Sequence, residues 1–180
     1  MDASNIAARW RRFERMEQSL CLRVNRGCHY PLVKRLFTVV SRLGDGGFWY
    51  LLMFILAANG EGTALVAAQM AVTSVIGIGL YKLLKKRFVR ERPYIAHAAI
   101  ELGAAPLDRY SFPSGHTLHA ACFTMLATAQ VPELAPVLVP FALLVGASRV
   151  VLGLHYPTDV IAGALVGALL AGASLAVWPV

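Results

Sequence analysis

Clusters of charge alternate along the chain with long runs that carry none. The uncharged runs are Gly46–Gly60, Gly62–Tyr81, Tyr110–Pro132, Leu134–Ser148 and Val160–Val180. A helix needs about 20 apolar residues to cross a bilayer, with a range of about 17 to 25. Three of the five runs meet that length unaided. The two shorter ones must tilt, thin the bilayer or recruit neighbours, Phe37–Val40 upstream of Gly46 and Val150–Leu154 downstream of Ser148. The pattern predicts an all-α integral membrane bundle of about five spanning helices.

The N-terminal segment follows a different rule. Ile6, Trp10, Phe13, Met16 or Glu17, Leu20 and Val24 recur at helical spacing, and Arg9, Arg11, Arg12, Arg15 and Arg23 take much of the remaining surface. That pattern suits a basic amphipathic helix lying in the membrane interface, with a mobile basic tail as the plainer alternative. The segment lacks the 7–15-residue apolar core and small-residue cleavage site of a signal peptide. The expected organisation is therefore an interfacial segment over residues 1–28 and one membrane-embedded domain over 29–180. No internal repeat or low-complexity linker divides the latter.

Composition supports the membrane reading. Hydrophobic residues make up 57% of the 180 and charged residues only 15%, against about 25% charged in soluble domains. The three cysteines, Cys21, Cys28 and Cys122, lie in or beside apolar segments and suit packing better than a disulfide framework. The longest polar interruption, Lys82 to Arg109, is too long to be a simple connection and is expected to be functional.

Three polar clusters carry the candidate chemistry. In the first, Lys82 to Arg92 holds six cations and one anion in eleven residues. Such a block could hold anionic headgroups or fix topology. It could also bind phosphate, with Lys85 and Arg92 two helical turns apart along one face. In the second cluster, Phe112-Pro113-Ser114-Gly115-His116-Thr117 stands where a loop becomes an apolar helix. Ser114 is a good N-cap, the Gly115 and His116 amides would form an anion site at a positive helix end, and His116 adds a titratable group; an ordinary capped start is the alternative. His119, a turn later, is expected to pack or hydrogen bond.

In the third cluster, Ser148 to Asp159, Arg149 interrupts a run otherwise free of charge. An arginine inside a membrane helix costs about 2.5–3.5 kcal/mol on insertion scales, so something anionic should face it. His155 precedes Asp159 by four residues. The carboxylate could then accept from one ring nitrogen and leave the other free as a nucleophile, or simply cap the helix that Pro157 opens.

Together these motifs closely resemble one family. Lys85-x6-Arg92-Pro93, Pro113-Ser114-Gly115-His116 and Ser148-Arg149-x5-His155-x3-Asp159 match the three signatures of the type 2 phosphatidic acid phosphatase superfamily, which also contains soluble vanadium haloperoxidases. The resemblance covers roughly residues 36–178 and includes the Ser41-x-Leu43-Gly44-Asp45-Gly46 approach to the first span. It implies a membrane enzyme that removes phosphate from lipid phosphates or diphosphates through a covalent phosphohistidine, with no metal or other cofactor. Carried over residue by residue, it makes His155 the nucleophile, Asp159 its orienting partner and His116 the general acid and then base. Lys85, Arg92, Arg149, Ser114 and Gly115 become the phosphate clamp. The chain has no Gly-Lys-Ser/Thr nucleotide loop, which agrees with this reading.

The expected partners are membrane lipids and a lipid substrate such as a polyprenyl diphosphate, phosphatidate or phosphatidylglycerophosphate, and not nucleic acid. The chain does not state an oligomeric state or the lipid's tail. A non-catalytic lipid-phosphate-binding scaffold of the same fold remains an alternative, and a haloperoxidase is disfavoured by the spans. The expected location is a bacterial inner membrane, crossed several times. With five spans, all 17 Lys and Arg fall on the active-site side or within that end of a helix. The positive-inside rule then puts the site in the cytoplasm, whereas the family resemblance points to the outer face.

Overall fold

The computed structural model describes residues 3–178 and contains no strand among them. Residues 1–2 of the expected interfacial segment and 179–180 of the last expected span lie outside the described residues. Helix α1 (Ala3–Asn25) leads through a short 3-10 turn to α2 (Pro31–Arg42) and α3 (Phe48–Ala58). These are followed by α4 (Glu61–Arg87), the single turn α5 (Pro93–Ala96), α6 (Gly115–Gln130), α7 (Ala135–Val151) and α8 (Pro157–Val177).

Four helical stretches are long and apolar enough to cross a membrane: Pro31–Ala58, Glu61–Arg87, Pro132–Val151 and Pro157–Val177. The first short run gains its length upstream, as expected; the second gains Pro132 and Glu133 upstream and extends downstream only to Val151, short of the expected Leu154. The uncharged run Tyr110–Pro132, expected to span unaided, is helical only over Gly115–Gln130. Pro113 and the N-cap Ser114 hold residues 110–114 in a loop, because proline disfavours helix in the residue before it. At 1.5 Å per residue the 16 residues of α6 reach about 24 Å. Eight of them are buried, and α6 is the central post of the bundle.

The apolar core gathers around α6. Trp49, Met70, Leu118, Phe123, Leu126, Leu138 and Val145 are all nearly or fully buried. Trp49 meets Phe123 edge-on at 5.4 Å. The outer faces remain apolar and exposed at Phe54, Val75, Leu143, Leu165 and Leu169, as a lipid-facing belt requires.

Two backbone features position the site. A π-turn over Leu43–Gly47 joins α2 to α3, with Gly46 at φ 131°, where a side chain would be strained and its Cβ would meet the Tyr50 ring. Ser41, two residues before the interruption, is buried, whereas Asp45 within it is exposed. Between α6 and α8 the backbones touch: a Cβ on Gly163 would stand 2.4 Å from the Ser114 carbonyl oxygen, and one on Gly167 2.2 Å from that of Leu118. Small residues permit this approach in membranes.

Helix α1 packs by its polar edge. Glu17, Cys21 and Asn25, four residues apart, are buried, whereas Ile6, Trp10, Met16 and Leu20 are exposed. The apolar residues Ile6, Trp10, Met16 and Leu20 therefore face outward, with Met16 and Leu20 beside the exposed Ile161 of α8, the disposition of a helix that offers its greasy side to lipid. The three cysteines are buried and free.

Candidate active site

Four helix ends converge at one face of the bundle: the C-termini of α4 and α7 and the N-termini of α6 and α8. They enclose a cavity of about 150 Å³. Lys85, Arg92, Gly115, His116, Arg149 and His155 line it, so six of the eight residues singled out in the sequence share one chamber. Asp45, Asp108 and His119 line it too, and Trp49, Tyr50, Ile78, Leu107 and Phe123 form its apolar walls.

Lys85 and Arg92 do not lie along one helical face. Helix α4 ends at Arg87 and the chain runs on without helix to Arg92, so the two cations meet by a reversal of the chain. They meet on Asp108, whose separation from both motifs gave no sign of this in the sequence. Lys85 Nζ donates to both Asp108 oxygens at 2.7 and 2.8 Å and to the Tyr110 carbonyl at 2.8 Å. Arg92 Nη2 donates to Asp108 Oδ1 at 2.7 Å. Burial pushes the Asp108 carboxyl up, but the hydrogen bonds and charges of Lys85 and Arg92 outweigh that and hold it below the usual carboxylate value. An ionised carboxylate thus rests on the cations expected to hold phosphate.

Arg149 is buried near the end of α7. Its Nη1 donates to the Ser41 hydroxyl, and its Nε has no partner. Among the described residues no carboxylate forms an ion pair with it, although Asp45 lines the same cavity. Asp45 Oδ1 also lies 3.4 Å from His116 Nε2. Ser41 and Asp45 belong to the approach sequence noted above, Ser41 at the end of α2 and Asp45 within the π-turn.

His155 sits in the turn between α7 and α8. Its Nε2 lies 3.2 Å from Arg92 Nη1, which can only donate. That contact assigns the ring proton to Nδ1 and points the Nε2 lone pair into the cation cluster. Burial first, and then the charges of Arg149, Arg92 and Lys85, hold the imidazole well below its usual pKa, so it is neutral. Nδ1 faces Asp159 Oδ2 at 3.7 Å, longer than a hydrogen bond, and has no partner.

Asp159 is wholly buried and does not line the cavity. Its Oδ2 accepts the Tyr156 amide at 2.8 Å, and its Oδ1 accepts from Arg90 Nη1 at 2.7 Å. It therefore caps α8 as well as facing His155. Ser114, also wholly buried and not part of the lining, turns its hydroxyl to Thr117 at 2.9 Å. Of this motif, Gly115 and His116 are the residues that reach the cavity, and the amides of the first turn are free of helical partners. His119 hydrogen bonds the Gly115 carbonyl at 2.9 Å. Among the described residues, no three His, Cys, Asp or Glu side chains are grouped to hold a metal ion.

Fold and site together define an all-helical membrane bundle with a cation-lined chamber and two histidines at one face. The PAP2 superfamily profile matches residues 62–179, well over half of the chain, and the chain belongs to that superfamily. It is 30% identical over 156 residues to a lipid A 1-phosphatase of Rhizobium johnstonii, a match covering 76% of this chain and 64% of that protein. It is 35% identical over 101 residues to the undecaprenyl-diphosphatase BcrC of Bacillus subtilis, covering 56% and 51%. The chain thus spans less than two thirds of the length of either relative. The crystal structure of LpxE from Aquifex aeolicus superposes with a TM-score of 0.77 at 28% identity, covering 88% of this chain and 93% of that one.

Proposed function

We propose that this protein is a membrane phosphatase that removes phosphate from a lipid phosphomonoester or diphosphate through a phosphohistidine. The observation that carries the reading is the neutral Nε2 of His155 directed at Lys85, Arg92 and Arg149 in one chamber. The relatives named for lipid A and undecaprenyl diphosphate support the lipid class.

The phosphoryl oxygens take the places of the Asp108 carboxylate on Lys85 and Arg92, and the partnerless Arg149 Nε and the Gly115 and His116 amides complete the clamp. His155 Nε2 attacks phosphorus and a P–N bond forms. The bond to the lipid oxygen breaks as His116, held protonated by the negative charge of the bound phosphate, gives that oxygen its proton. Water then attacks phosphorus, His116 takes the water's proton, and the P–N bond breaks to release phosphate. Asp159 faces the Nδ1 proton throughout and balances the charge of the phosphorylated ring. The apolar walls receive the lipid's first carbons.

The test is phosphate release from a panel of lipid phosphates and diphosphates in detergent, with EDTA present. Wild-type protein is expected to release phosphate from at least one lipid, and His155→Ala to lose both turnover and acid-labile label from a ³²P substrate. Retained turnover in His155→Ala removes the phosphohistidine, and no release from any lipid favours the binding scaffold.

A further inference from the structure

Helix α1 sends one carboxylate into the bundle. Glu17 is 5% exposed and lies on the buried edge with Cys21, which packs against Ile100, Val150 and Tyr156. Glu17 Oε1 accepts the Thr158 amide at 2.9 Å, an otherwise unmet donor of the first turn of α8, and also the Thr158 hydroxyl. Its Oε2 accepts from Arg90 Nη2 at 2.6 Å. The other arm of Arg90 donates to Asp159 Oδ1 at 2.7 Å and Thr158 Oγ1 at 2.8 Å, with the guanidinium 3.9 Å from the centre of the Tyr156 ring. One arginine is thus held between two buried carboxylates, and the second of these faces His155.

We propose that Glu17 is a positioning residue for the nucleophile, acting through Arg90 on Asp159; this rests on the function proposed above. The trio of Glu17, Arg90 and Asp159 carries one net negative charge. When phosphorus bonds to Nε2 while Nδ1 keeps its proton, the ring becomes cationic, and that negative charge is what stabilises it in a dry site. Glu17 also keeps Arg90 on Oδ1 alone. Without it the guanidinium is free to take Asp159 in a two-pronged pair, occupying the oxygen that faces Nδ1. Glu17 touches neither the cavity nor the clamp, so its loss affects the chemical step and spares phosphate binding.

The experiment compares wild type, Glu17→Gln and the double variant Glu17→Gln/Arg90→Gln as full-length protein, measuring kcat, KM and inhibition by orthovanadate. Glu17→Gln is expected to lower kcat by about tenfold or more, with KM and the vanadate inhibition constant within about twofold of wild type. Removing Arg90 as well returns the trio to one negative charge, so the double variant is expected to regain several-fold in kcat over Glu17→Gln. A contact that merely braces the fold gives a double variant no better than the single one, and that result overturns the proposal. Wild-type kcat in Glu17→Gln overturns it too, as does loss of vanadate inhibition together with turnover, since Glu17 would then support the whole chamber. Failure of the underlying reading shows separately, as wild-type protein without turnover or His155→Ala that retains it.

Discussion

At the scale of single residues, Asp108 is the most instructive, because it satisfies two buried cations with a charge that, under the proposed function, a phosphate dianion displaces. Replacing it with Asn leaves Lys85 and Arg92 buried without their anion, and an unpaired buried charge is costly. Asp108→Asn should therefore bind orthovanadate severalfold more tightly while melting at a lower temperature in its absence. An inhibition series together with a thermal melt with and without vanadate checks both halves; weaker vanadate binding would mean that Asp108 holds the cations in place for the substrate. The pH dependence follows from the lowered pKa of Asp108. A carboxyl held below its ordinary value stabilises the fold at every pH above that value, and the contribution disappears as pH falls through the lower, folded-state value. Acid should thus loosen the clamp in wild type and change Asp108→Asn less.

At the scale of helices, the contact between α6 and α8 fixes the site. Ser114, which caps α6 just before His116, has its carbonyl against Gly163. Gly163→Ala pushes that carbonyl and the start of α6 away, and overpacking of this kind costs about 1–3 kcal/mol. Gly172→Ala, in the same helix with nothing within 4 Å of its Cβ, gains helix propensity of about 1 kcal/mol. A lower melting temperature with reduced turnover for Gly163→Ala, against an unchanged or higher one for Gly172→Ala, is the expected pair of results. This scale also shows what could be read in advance. A cation or histidine inside an apolar run is expensive, so Arg149, His116 and His155 stood out without coordinates. Asp108 lies in a polar segment, where a carboxylate looks like ordinary solvated surface, and Glu17, though at a stripe position, meets Arg90 and Thr158, 73 and 141 residues away. The start of α6 was legible as a cap at Ser114, yet the uncharged run hid the loop before it, since lack of charge sets no helix boundary.

At the scale of the whole molecule, the fold separates charge by end. The cavity, α1 with its arginines and the Lys85–Arg92 block share one end, and the turns at Glu61 and Glu133 form the other. The positive-inside rule predicts a cytoplasmic site, with the last helix ending on the far side. A β-lactamase fused after α8 should then protect cells from ampicillin, and green fluorescent protein at the same point should stay dark; the reverse pair would place the chamber outside. The order of motifs along the chain conveyed this arrangement well, because each one sits where a span begins or ends. The closeness of α6 and α8 was less apparent, since glycines four apart permit contact without naming the partner. That contact bears on how the sequence can drift. The turns carrying His116 and His155 are registered by main chain against main chain, so exchanging one lipid-facing leucine or valine for another leaves their alignment intact, whereas a single methyl group at Gly163 or Gly167 does not.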